Sequence, residues 1–296
     1  MNNLIIGGNG YIGSALYKKI QADSIDLCLF GRNLGYSKKL NYNDADLSEY
    51  KNIILLAAHS SVNMCEYNKK NAWRNNVEYF YNLCESLSTE QTLIYASSSS
   101  VYGRNPNISR EEDININPIN HYDLTKITID LIANKFIGDG KNIIGLRFGT
   151  VNGASINTRS DLMLNSMILS FKTNGHIKTK NDWVKRPILG IEDLTSGIVS
   201  ILKSKLKQSG QYNMCSFNTT VREAANKVSA KTGCDIIKTE DDNNFYDFQI
   251  DSSKFERTFN YKFVDTIDTI IESLLHSDVS EFKPRNDDKT FNTYEK

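Results

Sequence analysis

Residues 3–13 read NLIIGGNGYIG, and this stretch decides the fold. NLII is a short apolar run that stops at glycines, the pattern of a buried strand. The glycines satisfy G-x-G-x-x-G from Gly8 and G-x-x-G-x-x-G from Gly7. Apolar periodicity resumes at once and predicts a helix over 11–20. A strand, a glycine turn and a helix opening on that turn are the setting in which such a string binds a dinucleotide. The missing side chains let the backbone approach a pyrophosphate, while the helix N-terminus offers N–H donors and positive potential. Gly7, Asn9, Gly10, Tyr11, Ile12 and Gly13 are therefore the first candidate cofactor residues.

Outward from this turn, strand and helix patterns alternate. Strands are predicted at 26–30, near 40–43, at IILLAA (53–58), at TLIYAS (92–97) and at NIIGLRF (142–148). IILLAA is apolar on both faces, as a central parallel strand must be. Helical spacing over 68–88 puts Trp73, Val77, Phe80, Tyr81, Cys84 and Leu87 on one stripe, read as core or dimer interface. A second helix is predicted over 121–136. This alternation calls for a Rossmann-type, doubly wound parallel sheet in an α/β protein. After Gly149 the pattern loosens into a smaller α/β substrate-binding part. Helices are predicted there at 161–172, 193–203, 220–231 and 264–275, and strands near 188, 211–214 and 247–250. A dinucleotide-binding domain is expected over 1–153, with 188–215 returning to it, and a substrate-binding domain over 154–187 and 216–296.

Composition narrows the class. Lys plus Arg and Asp plus Glu are both 35, so nothing points to nucleic acid or an anionic membrane. The longest apolar run is too short to span a bilayer. Five scattered cysteines contain no CxxC pair, and the four histidines form no ligand pattern, so no metal is expected. A reducing, cytoplasmic setting fits such thiols.

The end of the second strand reads on the cofactor. An acid there would take a ribose 2′-hydroxyl, and an arginine would accommodate a 2′-phosphate. The chain reads FGRN at 30–33, with Gly31 where the acid would stand and Arg32 after it. A guanidinium pairs with phosphate and a carboxylate repels it, so NADP(H) is favoured, with NAD(H) as the alternative.

YDLTK (122–126) sets Tyr122 and Lys126 four apart on one helix face. That spacing suits proton transfer, because a neighbouring ammonium stabilises a phenolate. Upstream, YASSSSVYG (95–103) places serines at the end of a strand, where a hydroxyl can orient a substrate oxygen.

Taken together with LLAAHSSV (55–62), RNNVEY (74–79) and LRFGTVNG (146–153), these motifs make the chain resemble the extended short-chain dehydrogenase/reductases. The resemblance is to their NAD(P)-dependent nucleotide-sugar epimerase, reductase and dehydratase branch, and it covers nearly the whole chain. It implies Ser98, Tyr122 and Lys126 as catalytic residues, with Tyr122 and Lys126 also touching the cofactor. Ala57, Ala58, Asn76 and Phe148 would border the cofactor. Asp46 and Leu47 would contact the adenine, with Asp44 as a rival. Ser99, Ser100 and Thr150 would border the sugar. Asn165, in TRSDLMLNSMI (158–168), would contact the nucleotide. Arg186, in RPILGIEDL (186–194), would approach the pyrophosphate. A homodimer paired through the helices at 68–88 and 121–136 is also implied.

Three departures stand out. The family's 4,6-dehydratases carry an Asp-Glu pair directly after the catalytic Thr, and this chain has Ser99 and Ser100 there. Dehydration by that route is not expected. Gly190 stands where the RPxxHVxD element has its histidine. EDDNNFYDFQIDSSKFE (240–256) lacks the arginine that many relatives place near the substrate diphosphate, leaving Lys178, Lys180 and Lys185 as substitutes. The expected activity is an epimerase or ketoreductase at C4 of a nucleotide-linked sugar. A reductase of another carbonyl compound and a non-catalytic NADP(H)-binding regulator are the alternatives.

Overall fold

Successive residues on each inner strand split cleanly between two cores. Ile5, Ile54, Ile94 and Ile144 belong to one cluster, and their neighbours Leu4, Ile53, Leu93 and Ile143 to another. That is the signature of a sheet buried on both faces. The computed structural model describes residues 3–23, 27–30, 47–113, 116–204, 208–243 and 245–284.

The first half runs β1 (Asn3–Ile6), α1 (Tyr11–Ala22), β2 (Leu27–Phe30), β3 (Asn52–Leu55), α2 (Val62–Tyr67), α3 (Lys69–Trp73), a π-helical turn (Arg74–Glu78), α4 (Tyr79–Ser86), β4 (Thr92–Ser98), β5 (Arg104–Ser109), α5 (His121–Gly138) and β6 (Asn142–Phe148). The second half runs β7 (Thr150–Asn152), β8 (Thr158–Arg159), α6 (Met163–Asn174), β9 (His176–Thr179), β10 (Lys185–Gly190), α7 (Ile191–Lys203), β11 (Gly210–Met214), β12 (Phe217–Thr220), α8 (Val221–Thr232), β13 (Asp235–Lys238), β14 (Asp247–Ile250), α9 (Ser253–Phe259), α10 (Ile267–His276) and β15 (Phe282–Lys283).

Six parallel strands form the main sheet in the order β11-β6-β4-β3-β1-β2. Strand order reverses at β1, with β2 on one side and β3 on the other. This is the switch point where ligands bind, at the carboxyl ends of the strands. Residues from α1, α7 and α9 pack on one face, and residues from α4 and α5 on the other. A third core joins α6, α8 and α10 over Ile177 and Ile188. A smaller sheet, β12-β10-β7, stands beside the main one. The expected fold class is the observed one.

Two elements differ from expectation. IILLAA does not stay extended, because β3 ends at Leu55 and the N–H groups of both Leu56 and Ala57 converge on the Ile6 carbonyl, at 2.9 and 3.0 Å. The bend sets Ala57 beside the glycine turn. The 68–88 helix is interrupted by the π-helical turn, which shifts the phase of the apolar stripe. Tyr79 and Leu83 are buried, whereas Tyr81 is 45% exposed and lies edge-on to Phe136. The strand expected near 40–43 falls outside the described residues. Among those residues, no helix is long and apolar enough to cross a membrane.

Candidate active site

The carboxyl edge of the sheet brings together the ends of β1, β3, β4 and β6. Gly7 follows β1 with φ +98°, and a Cβ there would lie 2.7 Å from the Ala57 nitrogen. A Cβ on Gly13 would sit 2.2 Å from the Gly7 carbonyl oxygen. Only glycine allows this tight a return of chain onto itself. Gly10 caps α1 in an extended conformation, with no side-chain cap and no acid in the first turn. The first N–H groups of α1 are therefore left to an outside acceptor, in positive potential. These residues fit the pyrophosphate of a dinucleotide.

Neighbouring cofactor candidates divide. The Asn9 carbonyl accepts from Asn157 at 3.0 Å. Tyr11 turns its side chain inward and donates to the Gly153 carbonyl at 2.7 Å, and burial raises its phenol well above the usual range. Ile12 packs against the core beneath α1. Leu47 is buried, with its carbonyl accepting from Gln91 at 2.7 Å. Ala57 and Ala58 are half-buried beside the turn. Arg32, Asp44 and Asp46 lie outside the described residues.

Asn76, on the π-helical turn, clamps three segments. Its Oδ1 accepts from the His59 N–H at 2.8 Å, and its Nδ2 lies 3.1 Å from both the His59 carbonyl and the Thr125 hydroxyl. The bulge aims this side chain between the loop after β3 and the helix carrying Tyr122. The loop that passes the glycines is thereby fixed to α5.

Helix α5 is capped by Asn120, whose side chain accepts from the Asp123 N–H. Tyr122 and Lys126 follow on successive turns. Lys126 is buried and donates to the Ala96 carbonyl at 2.7 Å; its Nζ lies 5.7 Å from the Tyr122 ring centre. Burial brings its ammonium down to about 8. The Tyr122 phenol is pushed up to about 12 by desolvation, opposed by a hydrogen bond to Ser98 and by the Arg159 charge. Ser98 ends β4, and its hydroxyl lies 2.8 Å from that of Ser100. The structure thus brings Ser98, Tyr122 and Lys126 together. Such a set can hold a proton between a phenol and a substrate oxygen while a cation stabilises the phenolate.

The expected sugar and nucleotide contacts are placed unevenly. Ser99 is buried and donates to the Phe148 carbonyl at 2.8 Å. Asn165 is fully buried and engaged at both ends, accepting from the Gly153 N–H at 3.0 Å and donating to the Arg159 carbonyl at 2.9 Å. Arg186 and Thr150 do meet, at 3.1 Å. The Arg186 guanidinium stands 5.5 Å from the Tyr246 ring centre, and its Nε is buried with no hydrogen-bond partner. No carboxylate pairs with it among the described residues, and desolvation lowers its pKa. It is a cation suited to an incoming anion.

Two departures find a physical reason. A Cβ on Gly190 would fall 2.0 Å from an Asp265 carboxylate oxygen, so no histidine fits. That oxygen accepts from the Asp193 N–H at 2.9 Å, in the first turn of α7. The acidic run at 240–243 serves the protein itself: Asp242 pairs with Lys180 at 2.5 Å, and Asp241 accepts from the Asn181 N–H at 2.6 Å.

Sequence reading missed three residues. Arg159, held by both Asp161 oxygens at 3.0 and 2.6 Å and by the Ser60 carbonyl at 3.1 Å, draws the Tyr122 phenol down. Asp123, beside Tyr122, is fully buried, and Tyr246 donates to it at 2.9 Å. A carboxylate inside the YDLTK motif was the one available signal; Arg159 and Tyr246 carry none.

Residues 3–215 match the model of the NAD dependent epimerase/dehydratase family. The chain is 30% identical to an ADP-L-glycero-D-manno-heptose-6-epimerase of Brachyspira hyodysenteriae, over 52% of this chain and 56% of that protein, so it spans about half the length of that relative. It is 25% identical to a UDP-glucose 4-epimerase of Lactobacillus helveticus, over 81% of this chain and 84% of that protein. A UDP-glucuronic acid 4-epimerase from Bacillus cereus, solved with UDP-glucuronic acid and NAD, has the same fold, with a TM-score of 0.83 at 18% identity over 93% of this chain and 98% of that one. The chain belongs to the NAD dependent epimerase/dehydratase family.

Proposed function

We propose that this protein is an NAD-dependent epimerase acting at C4 of a nucleotide-activated sugar. One observation carries the reading: Tyr122 stands one turn from the buried Lys126, whose ammonium bonds the Ala96 carbonyl on the strand that ends at Ser98, at the sheet edge that holds the glycine cradle. When bound, the nicotinamide ring supplies hydride exchange at the sugar carbon. Tyr122 takes the proton of the C4 hydroxyl and returns it. Lys126 stabilises the phenolate by charge, and Ser98 orients the sugar oxygen. Arg186, with its free buried Nε, pairs with the diphosphate and takes over from the missing arginine of 240–256. Dehydration is not part of the proposal. Ser99 is tied to a backbone carbonyl, and the carboxyl of Asp123 is turned into the protein rather than towards the cleft. NAD is proposed because the family is described by NAD, and Arg32 in FGRN keeps NADP as the alternative. Exposed Leu124 and Leu131 on α5, with Tyr81 on α4, suit a homodimer paired through these helices.

The test is mass spectrometry of the denatured protein for retained dinucleotide, then assay with UDP-glucose and UDP-glucuronic acid. Stoichiometric oxidised NAD and interconversion of C4 epimers without added cofactor are expected. The Tyr122→Phe protein should keep the NAD and lose activity by roughly 100-fold or more. An empty protein that consumes NADPH stoichiometrically would make it a reductase instead.

A further inference from the structure

Tyr246 sits between Arg186 and the start of α5, and its side chain touches both. Its ring centre lies 5.5 Å from the Arg186 guanidinium. Its hydroxyl oxygen lies 2.9 and 3.1 Å from the two carboxylate oxygens of Asp123, the residue after Tyr122. We propose that Tyr246 is a positioning residue: it holds Arg186 ready for a sugar-linked diphosphate, at a fixed place relative to the helix that carries Tyr122. The proposal rests on Arg186 being the cation that meets the diphosphate.

The ring is anchored from several sides. The phenol donates to Asp123 and accepts from the side-chain amide of Asn120, so its oxygen is held between two partners. Asn120 also donates to Asp123 Oδ2 at 3.0 Å and accepts from the Asp123 N–H at 3.0 Å, while the Ile119 N–H reaches the same Oδ2 at 3.2 Å. The hydroxyl is therefore built into the cap of α5. Phe248 meets the ring edge-on, with 6.0 Å between centres. Next to these contacts the chain itself is tied, because the Lys185 N–H donates to Asp247 Oδ1 at 2.8 Å. The pairs 185–247 and 186–246 thus lie side by side.

What this does for Arg186 follows from entropy and charge. A free arginine side chain loses rotamer freedom when it binds a ligand, and one already held loses less. Here Nη2 donates to the Thr150 hydroxyl at 3.1 Å and the guanidinium is held against the ring, while the buried Nε has no hydrogen-bond partner. A phenol that donates to a carboxylate gains electron density in its ring, which strengthens the attraction to a cation. The 240–256 segment, which has no arginine of its own, supplies the platform for the arginine on β10.

Calorimetric titration of the full chain tests this as a double-mutant cycle, using UDP or ADP, whichever binds the unsubstituted chain more tightly. Thermal unfolding is measured on the same samples. Tyr246→Leu removes ring and hydroxyl and should weaken binding by roughly tenfold. Tyr246→Phe keeps the ring but loses its anchor, and should weaken binding by about threefold. It carries the test if Tyr246→Leu does not fold. In an Arg186→Met background neither substitution should change the Kd further. A tyrosine that only supports the fold would lower the unfolding temperature and change the Kd equally in both backgrounds. That result, or an unchanged Kd in both Tyr246 variants, overturns the proposal. The reading beneath it fails in a different way. If neither nucleotide binds, or if Arg186→Met alone leaves the Kd unchanged, Arg186 is not the diphosphate cation and the proposal falls with it.

Discussion

The ammonium of Lys126 donates to the carbonyl of Ala96 across 2.7 Å, tying α5 to the strand that ends at Ser98. This one bond sets the spacing between a helix-borne phenol and a strand-borne hydroxyl. It also holds a cation away from water with no carboxylate partner within bonding distance among the described residues. Burial therefore lowers the Lys126 pKa from 10.5 to about 8.

Lys126→Met should stabilise the cofactor-free protein while abolishing activity. The folded pKa lies below the unfolded one, so the cost of burying the ammonium is fully present below about pH 8. It disappears as pH rises towards 10.5. The shift corresponds to about 3 kcal/mol, and losing the charge-assisted bond to Ala96 offsets about 2 kcal/mol of it. Urea midpoints at pH 7 should favour the variant, and by pH 10 the advantage should be gone.

Gly7→Ala should remove the retained dinucleotide and weaken the fold. The added methyl meets the Ala57 nitrogen at 2.7 Å, in a backbone conformation that L side chains rarely adopt. The conformational term alone costs about 1 kcal/mol. Thermal unfolding and cofactor content of the purified variant check both effects.

Asn76→Ala should remove the side-chain acceptor of the His59 N–H and one of two side-chain donors to its carbonyl, which Cys65 still reaches at 3.4 Å. Each lost hydrogen bond costs about 1 kcal/mol. The loop after β3 would loosen from α5, so turnover should fall along with stability. Asn76→Asp restores the acceptor for the His59 N–H but not the donor, and should recover only part of the loss in denaturant titration.

Arg186→Met should weaken UDP binding while leaving the unliganded fold intact, because the guanidinium is desolvated and its Nε bonds nothing. Loss of a charge-assisted bond of about 2 kcal/mol corresponds to roughly thirtyfold in Kd. Calorimetric titration with UDP measures it. An unchanged Kd would remove Arg186 from the diphosphate site.

Sequence alone determined the frame of this protein. A four-residue apolar run, glycines at 7, 10 and 13, and a helix opening on them admit one local geometry, because side chains at 7 and 13 would collide with backbone. Apolar runs on both faces fixed a covered parallel sheet, and four-residue spacing fixed Tyr122 and Lys126 to one helix face. Tertiary structure decided the rest. Asn76 reaches His59 and Thr125 only because a π-helical turn re-aims it. Gly190 is explained only by Asp265, 75 residues further along the chain. Asp123 becomes more than a residue beside Tyr122 only when Asn120 and Tyr246 close around it. Such polar contacts join residues far apart in the chain, and they leave no periodic trace because each is satisfied by a single partner rather than by a face.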